Sequence, residues 1–247
     1  MKIRVISLAT SIVRREKISR ELSSLGLKFT FFDAVNGLEA DINDYDNNKR
    51  MWEKGHELTK GEQGCFSSHR ALWSECLQSG EPLLIMEDDI ELSGEFKSIL
   101  IELEGPAREF EYIRLGRGSY RSLPGIGAWL NILKIDDAHT VVKYMAGPSC
   151  AHAYIISPAA ASKFLSASTT WFWPVDDFMD KEYLHQVNNY GVEPPLAWQS
   201  GADSDIGLRE KPGSRSIIGR MRKEYYRAKE RLLNSIYNYI FYIKNKK

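Results

Sequence analysis

The chain has 247 residues, 43% of them apolar, and its 33 lysines and arginines equal its 33 aspartates and glutamates. That is enough to build one large α/β domain, or one domain with an appendage, and nothing approaches the ~18 to 20 consecutive apolar residues of a membrane-spanning helix. The zero balance hides an asymmetry: residues 208–247 hold 12 basic against 3 acidic side chains, leaving 21 against 30 in residues 1–207. An acidic body of net −9 opposes nucleic-acid binding, whereas a tail of net +9 suits an anionic membrane surface.

In chain order, Lys2–Leu8 reads as a first strand rather than a signal peptide, because it lacks a long apolar core and a small-residue cleavage site. Thr10 or Ser11 caps a helix over Ile12–Leu25 whose Ile12, Ile18, Leu22 and Leu25 fit one buried face and which stops at Gly26. Lys28–Val35 is a second strand, punctuated by Asn36-Gly37, and residues 39–55 form a polar excursion with one short helix. A helix over Gly61–Gln78 leads into a strand beginning at Leu83, followed by a helix over Phe96–Leu103. Strands are then expected at Tyr112–Leu115, Trp129–Ile135, Thr140–Tyr144 and Ala151–Ile156, and helices at Pro158–Leu165 and Val175–Gln186. The β-α-β-α-β opening predicts a mostly parallel, Rossmann-like sheet with helices on both faces. Cys65, Cys76 and Cys150 lack paired metal-ligand spacing and read as buried free thiols in a reducing compartment. His56, His139 and His185 show no pattern and read as surface groups.

The apolar run Leu83-Leu84-Ile85-Met86 ends abruptly in Glu87-Asp88-Asp89. Bounded by Pro82, the run reads as a buried strand covered on both faces, and three buried anions would cost several kcal/mol each unless they sit at the strand's exit. In open α/β sheets ligands bind beyond the carboxyl ends of strands, and oxygen-only ligands suit a hard divalent cation with its phosphates. The competing reading is an acidic turn in water. If the strand's alternation continues, Glu87 and Asp89 share one side and Asp88 the other.

Motifs in order carry a resemblance: Val5-Ile6-Ser7-Leu8 with Arg14-Arg15; Phe32-Asp33-Ala34-Val35-Asn36-Gly37; Leu58-Thr59-Lys60-Gly61-Glu62-Gln63-Gly64-Cys65 leading to Ser68-His69; Glu87-Asp88-Asp89; and, in the second half, Ala151-His152-Ala153-Tyr154-Ile155-Ile156-Ser157 and Pro174-Val175-Asp176. Together they resemble glycosyltransferase family 25, which includes bacterial lipooligosaccharide galactosyltransferases and the collagen galactosyltransferases. The resemblance spans roughly residues 3 to 200. It implies a GT-A type fold and an inverting transfer of a sugar, galactose first, from a UDP-sugar with Mn2+ or Mg2+. Asn36 and Gln63 depart from the family's usual residues.

Sugar transfer requires charge neutralisation on the departing diphosphate and removal of the acceptor's proton. Glu87 and Asp89 are the expected metal ligands. Asp176, beside the aromatic run Trp171-Phe172-Trp173, is the expected general base, with Asp177 its competitor and helix capping the structural alternative. Ser7, Leu8, Arg14, Arg15, Asp33, Ser68, His69, Glu87 and Asp88 are assigned to the donor. Arg14 and Arg15 offer planar forks for phosphate, or form a solvated basic helix face. Asp33 reads a base or ribose edge, or forms a turn with Asn36-Gly37. Ser68 and His69, adjacent on a helix, diverge too far for a hydrolase dyad. Gly147, His152, Tyr154 and Asp177 are assigned to the acceptor side, and Arg117 and Arg121 sit in a glycine-rich loop that either meets an anionic acceptor or is simply solvated.

The domains expected are a transferase body over residues 1–207 and a basic tail over residues 208–247. In the tail, Ile217, Ile218, Met221, Tyr225, Ala228, Leu232, Ile236, Tyr239, Ile240 and Ile243 follow helical spacing among Arg220, Arg222, Lys223, Arg227, Lys229 and Arg231. This is an amphipathic helix suited to an anionic membrane, on the cytoplasmic face of the inner membrane where a lipid-linked oligosaccharide acceptor would lie. The alternative is packing on the body or on a second subunit in a homo-oligomer. Two further readings of the whole chain are a metal-dependent nucleotidyl or phosphoryl transferase and a non-catalytic carbohydrate- or membrane-binding protein.

Overall fold

In the computed structural model, residues 1–119, 121–200 and 216–245 are described. Their elements in order are β1 (Lys2–Ser7), α1 (Ile12–Ser24), β2 (Thr30–Asp33), α2 (Asn47–Lys54), α3 (Lys60–Ser79), β3 (Leu83–Glu87), β4 (Ile90–Leu92), α4 (Phe96–Glu102), α5 (Pro106–Glu109) and β5 (Tyr112–Arg114). There follow β6 (Trp129–Lys134), β7 (Thr140–Tyr144), β8 (Ala153–Ile156), α6 (Pro158–Ala167), α7 (Val175–Met179), α8 (Glu182–His185), β9 (Tyr190–Glu193), β10 (Ala197–Gln199) and α9 (Ile217–Asn245). The expected 207/208 boundary and Tyr120 of the glycine-rich loop lie outside the described residues.

Eight strands form one sheet in the order β2-β1-β3-β8-β5-β9-β7-β6, and β10 pairs with β4 beside it. β2, β1, β3, β5, β9 and β6 run one way, and β8 and β7 run the other. The sheet is thus mostly unidirectional, but β8 separates the two parallel groups by inserting antiparallel between β3 and β5. β3 shows why an unbroken apolar run was needed. Leu83 and Ile85 enter the core beneath α3, α6 and α7, while Leu84 and Met86 enter the opposite core with α1 and α4. Each fully buried side chain contributes roughly 1.5 to 3 kcal/mol.

Helix α3 starts where the sequence says it must. Thr59 accepts from the Glu62 N–H at 3.1 Å, and the Glu62 carboxylate accepts from the Thr59 N–H at 2.8 Å, a complete capping box. A side chain on Gly64 would lie 2.3 Å from the Val35 carbonyl, so only glycine lets the turn after β2 interlock with this helix. The Lys60-Gly61-Glu62-Gln63-Gly64 motif therefore sets the position of α3 against the strand ends.

Four expectations require correction. Of the face expected on α1, only Ile18 and Leu22 are buried, and Ile12 is exposed. The predicted helix over Val175–Gln186 is two helices, because buried Asp180 turns toward Arg114 at 2.8 Å while Lys181 reaches Asp177 and Glu230. His139 and His185 are buried rather than surface groups, and burial pushes His185 down to about 3. The strand alternation stops at Glu87, since Asp88 and Asp89 form the turn between β3 and β4.

Candidate functional site

The site begins at the carboxyl ends of β1, β2 and β3. Ser7, ending β1, donates its hydroxyl to Asp88 at 2.6 Å. Arg14, in the first turns of α1, reaches Asp88 at 3.2 Å and Asp89 at 3.5 Å. Both turn carboxylates thus meet the same guanidinium, which replaces the expected opposition of Asp88 and Asp89. Arg15 donates to the Ser7 carbonyl at 2.8 Å and pairs with the exposed Asp33 at the end of β2. Leu8, half-buried beyond β1, holds the turn by accepting from the Ser11 N–H at 3.0 Å.

Glu87 is oriented by a chain of donors from the core. Trp73 Nε1 can only donate, and it donates to the Tyr154 hydroxyl at 2.9 Å. Tyr154 lies 2.8 Å from His69 Nδ1, and His69 Nε2 lies 3.2 Å from Glu87 Oε1. An ionised carboxylate only accepts, so His69 Nε2 carries the proton that Glu87 accepts, and Trp73, Tyr154, His69 and Glu87 form one connected chain. Burial would raise Glu87, but the bond and charge of His69, with His152 and Arg14, hold it below the ordinary carboxylate range. Asp89 behaves oppositely: burial, then the charge of Glu87, pushes it up to about 6.

A divalent cation fits this geometry. Asp89 Oδ1 is buried with no hydrogen-bond partner, an oxygen facing a deficit of positive charge. Cys65 Sγ, a His69 ring nitrogen and a Glu87 oxygen also lie within 4.8 Å of one another. Sequence spacing missed Cys65 as a site residue, because α3 brings it to Glu87 only through packing. The placement of Cys65 one turn before His69 on the same helix was the available signal.

Asp176 and Asp177 occupy the first turn of α7, whose N-cap is Pro174 with no side-chain cap, so neither carboxylate serves as the capping group. Lys181 takes Asp177 at 3.1 Å, and its charge with those of Lys54 and Arg50 holds Asp177 below the usual range against burial. Burial and the charge of Asp177 raise Asp176. Glu87, Cys65, His152 and Asp176 line one cavity of about 170 Å³. Ser149, Pro174 and Asp176 are shared with an adjoining cleft of about 810 Å³. The acidic strand end and the distant acid are thereby brought together.

Other residues expected to touch ligand serve as supports. Tyr154 is fully buried, its hydroxyl committed to His69 and Trp73. Ser68 is also fully buried, donating to the Gly64 carbonyl and accepting from the Val35 N–H, both at 2.8 Å. Gly147 lies against the Asp180 carboxylate, where a side chain would collide. His152 does line the cavity, its ring 3.3 Å from the Ala197 carbonyl. Of the loop arginines, Arg117 is held by Glu193 at 2.6 Å, whereas Arg121 lines the larger cleft.

Sequence comparison adds a lineage to this geometry. A family model described as "Glycosyltransferase family 25 (LPS biosynthesis protein)" matches residues 1–125. The lipooligosaccharide biosynthesis protein lic2B of Haemophilus influenzae is 36% identical over 212 residues, covering 80% of this chain and 75% of that protein. Procollagen galactosyltransferase 1-B of Xenopus laevis is 28% identical over 227 residues, covering 78% of this chain and 35% of that protein. The lacto-N-neotetraose biosynthesis glycosyltransferase LgtE of Neisseria meningitidis is 35% identical over 109 residues, 41% of this chain and 37% of that protein. The chain thus spans little more than a third of the length of these last two relatives.

Proposed function

The chain belongs to glycosyltransferase family 25, and on that premise we propose that it is a GT-A type enzyme moving a hexose, galactose first, from a UDP-sugar to a hydroxyl of a lipid-linked lipooligosaccharide glycan. The observation that carries this reading is the cavity lined by both Glu87 and Asp176. Ser7, Arg14, Arg15, Asp33 and Asp88 form the nucleotide side, where the guanidinium forks suit phosphate oxygens. Glu87 and Asp89 are the carboxylates to hold Mn2+ or Mg2+, with the orphaned Asp89 oxygen the strongest indication. Such a cation would supply Lewis-acid stabilisation to the leaving diphosphate.

Asp176 acts as general base. The acceptor oxygen attacks the anomeric carbon as its proton passes to the Asp176 carboxylate. The bond from that carbon to the diphosphate oxygen breaks, and its electron pair leaves with UDP. Attack from the face opposite the leaving group inverts the anomeric centre. A carboxylate raised by burial is a stronger base than an exposed one, so Asp176 is better matched to this task than Asp177. Lys181 holds Asp177 at the acceptor edge.

Slow hydrolysis of a panel of UDP-sugars, with and without divalent cation, tests this directly. One donor should release UDP only with cation, and Asp89→Ala should abolish that release. Release of UMP instead would favour nucleotidyl or phosphoryl transfer. Unchanged release by Asp89→Ala would remove Asp89 from the metal site.

Helix α9 is proposed to dock the enzyme on the anionic cytoplasmic face of the inner membrane. Among the described residues, no helix is long and apolar enough to cross a membrane. The apolar stripe of α9 instead faces outward, with Ile218 75%, Leu232 61% and Ile243 70% exposed. The opposite, polar face meets the body: Asn238 is buried, Glu230 pairs with Lys54, and Tyr226 bonds Trp52. A helix that turns its polar side inward and its apolar stripe outward, bordered by Lys229, is matched to an anionic lipid surface.

A further inference from the structure

The cleft of about 810 Å³ beside Asp176 has a charge that the rest of the chain does not predict. Seven lysine and arginine side chains line it, against four carboxylates. Three of those carboxylates are already matched: Asp177 by Lys181, Glu230 by Lys54, and Asp180 by the buried Arg114, with Arg121 3.8 Å from it as well. The basic side of the lining is formed by Lys223, Arg227 and Arg231 of α9, with Arg227 also pairing with Glu224 at 3.0 Å, and by Arg121 of the glycine-rich loop. Residues 1–207 carry 30 acidic against 21 basic side chains, so this basic wall is built into an acidic body largely by the helix. The face of α9 that carries it is roughly opposite the exposed apolar stripe, by helical spacing.

The position of the cleft fixes what it can serve. Glu87 lines only the smaller cavity, α9 lines only the larger cleft, and Asp176 lines both. A sugar donor held at the strand ends leaves the α9 side of Asp176 to the acceptor. A volume of this size accommodates several sugar units, beyond the one that supplies the hydroxyl. Cations on a cleft wall discriminate by charge, because an anionic group placed there gains attraction and a neutral glycan gains none.

We infer that the acceptor glycan carries an anionic group, a phosphate or a carboxylate, on a unit beyond the reacting sugar, and that Arg121, Lys223, Arg227 and Arg231 read it. Helix α9 then has two tasks on its two faces: holding the lipid surface with one, and selecting the charged glycan with the other. This inference rests on the transferase reading above.

The test uses three synthetic glycosides of the same disaccharide: neutral, phosphomonoester-bearing, and uronate-bearing. Their binding to the native full chain in the presence of UDP is measured by calorimetry at low and high salt. One anionic glycoside should bind at least ~10-fold more tightly than the neutral one, with the advantage shrinking as salt rises; which arm gains identifies the group. In Arg227→Gln/Arg231→Gln, both exposed positions, that ratio should fall several-fold. Equal binding of all three, no binding of any, or a ratio unchanged in the double variant would overturn the inference. So would a double variant that weakens UDP binding and leaves the glycoside ratio intact. Absence of UDP release by the native protein from every nucleotide sugar would instead refute the transferase reading itself.

Discussion

The half-buried carboxylates of Glu87 and Asp89 at the end of β3 and the fully buried carboxylate of Glu182 are held in opposite ways. Glu182 Oε1 lies 2.8 Å from Lys143 Nζ and accepts from the Asn189 N–H at 2.6 Å, while its Oε2 accepts from the Asn238 amide at 2.7 Å. Lys143 in turn donates to the Asn238 side chain and to the Tyr144 carbonyl. Every partner in that network is supplied by the protein, and it ties α9 to β7 and α8. At the strand end, Asp89 keeps a buried oxygen without a partner and is pushed up to about 6. A saturated buried carboxylate is part of the scaffold; one left short of positive charge marks where a ligand completes the balance.

Substitutions should separate the two kinds. The largest effect is expected at Asp176→Asn, which removes the base and should lower the transfer rate by about 10² to 10⁴-fold while leaving donor binding and Tm intact. The base works only when ionised, and burial raises its pKa, so native activity should fall as pH drops through a point above the ordinary carboxylate range. Asp177→Asn removes the like charge that helps raise Asp176, so this acid limb should move to lower pH. A limb that stays in place in Asp177→Asn, or a normal transfer rate in Asp176→Asn, would take Asp176 out of the chemistry.

Stability should respond in the reverse order. Glu182→Gln leaves Lys143 buried without its counter-charge and should cost about 3 to 5 kcal/mol in denaturant unfolding. Asp89→Asn, measured without divalent cation at neutral pH, should instead stabilise, on the order of 2 kcal/mol. The sign follows from linkage. A folded-state pKa raised from 3.8 to about 6 means the native state resists ionisation, so this contribution to stability is present at low pH and lost as pH rises through 6. If both substitutions destabilised equally, the distinction between scaffold and site would collapse.

The same contrast explains what could be read from the sequence. The strand-end half was legible because its geometry is local: an apolar run stops, and three carboxylates must emerge where it stops. Ser7, Arg14, Asp33 and His69 follow from strand and helix ends set by Thr59, Gly64 and Gly26. The cleft was not legible. Its walls join Arg121, Ser149, Asp176 and Arg227, residues brought together by docking of α9 rather than by any spacing. Tyr154 was misread for a related reason. Alternation in β8 gives a side chain's face of the sheet, but not whether that face ends at ligand or at Trp73. Strand β9, which separates β5 from β7, carries the short sequence Tyr190-Gly191-Val192-Glu193, too brief for a periodic signal.

The smallest and most specific test concerns the outer face of α9. Deleting the helix would strip Asn238 from the Lys143–Glu182 pair and remove a wall of the cleft, so truncation confounds docking with folding. Point changes on the exposed stripe avoid this. Ile218→Ser, Leu232→Ser and Ile243→Ser each remove apolar surface that touches little of the body, and each should leave the unfolding free energy within about 0.5 kcal/mol of native. Together they should release the protein from phosphatidylglycerol-containing vesicles in flotation, a several-fold loss at each step since every buried CH₂ is worth about 0.8 kcal/mol. Native protein should float with anionic vesicles and less with zwitterionic ones, because Lys229 beside the stripe adds about 1 kcal/mol near a negative surface. If the triple variant still floats and sedimentation shows that it has lost a native dimer, the stripe is a subunit interface and the membrane reading fails.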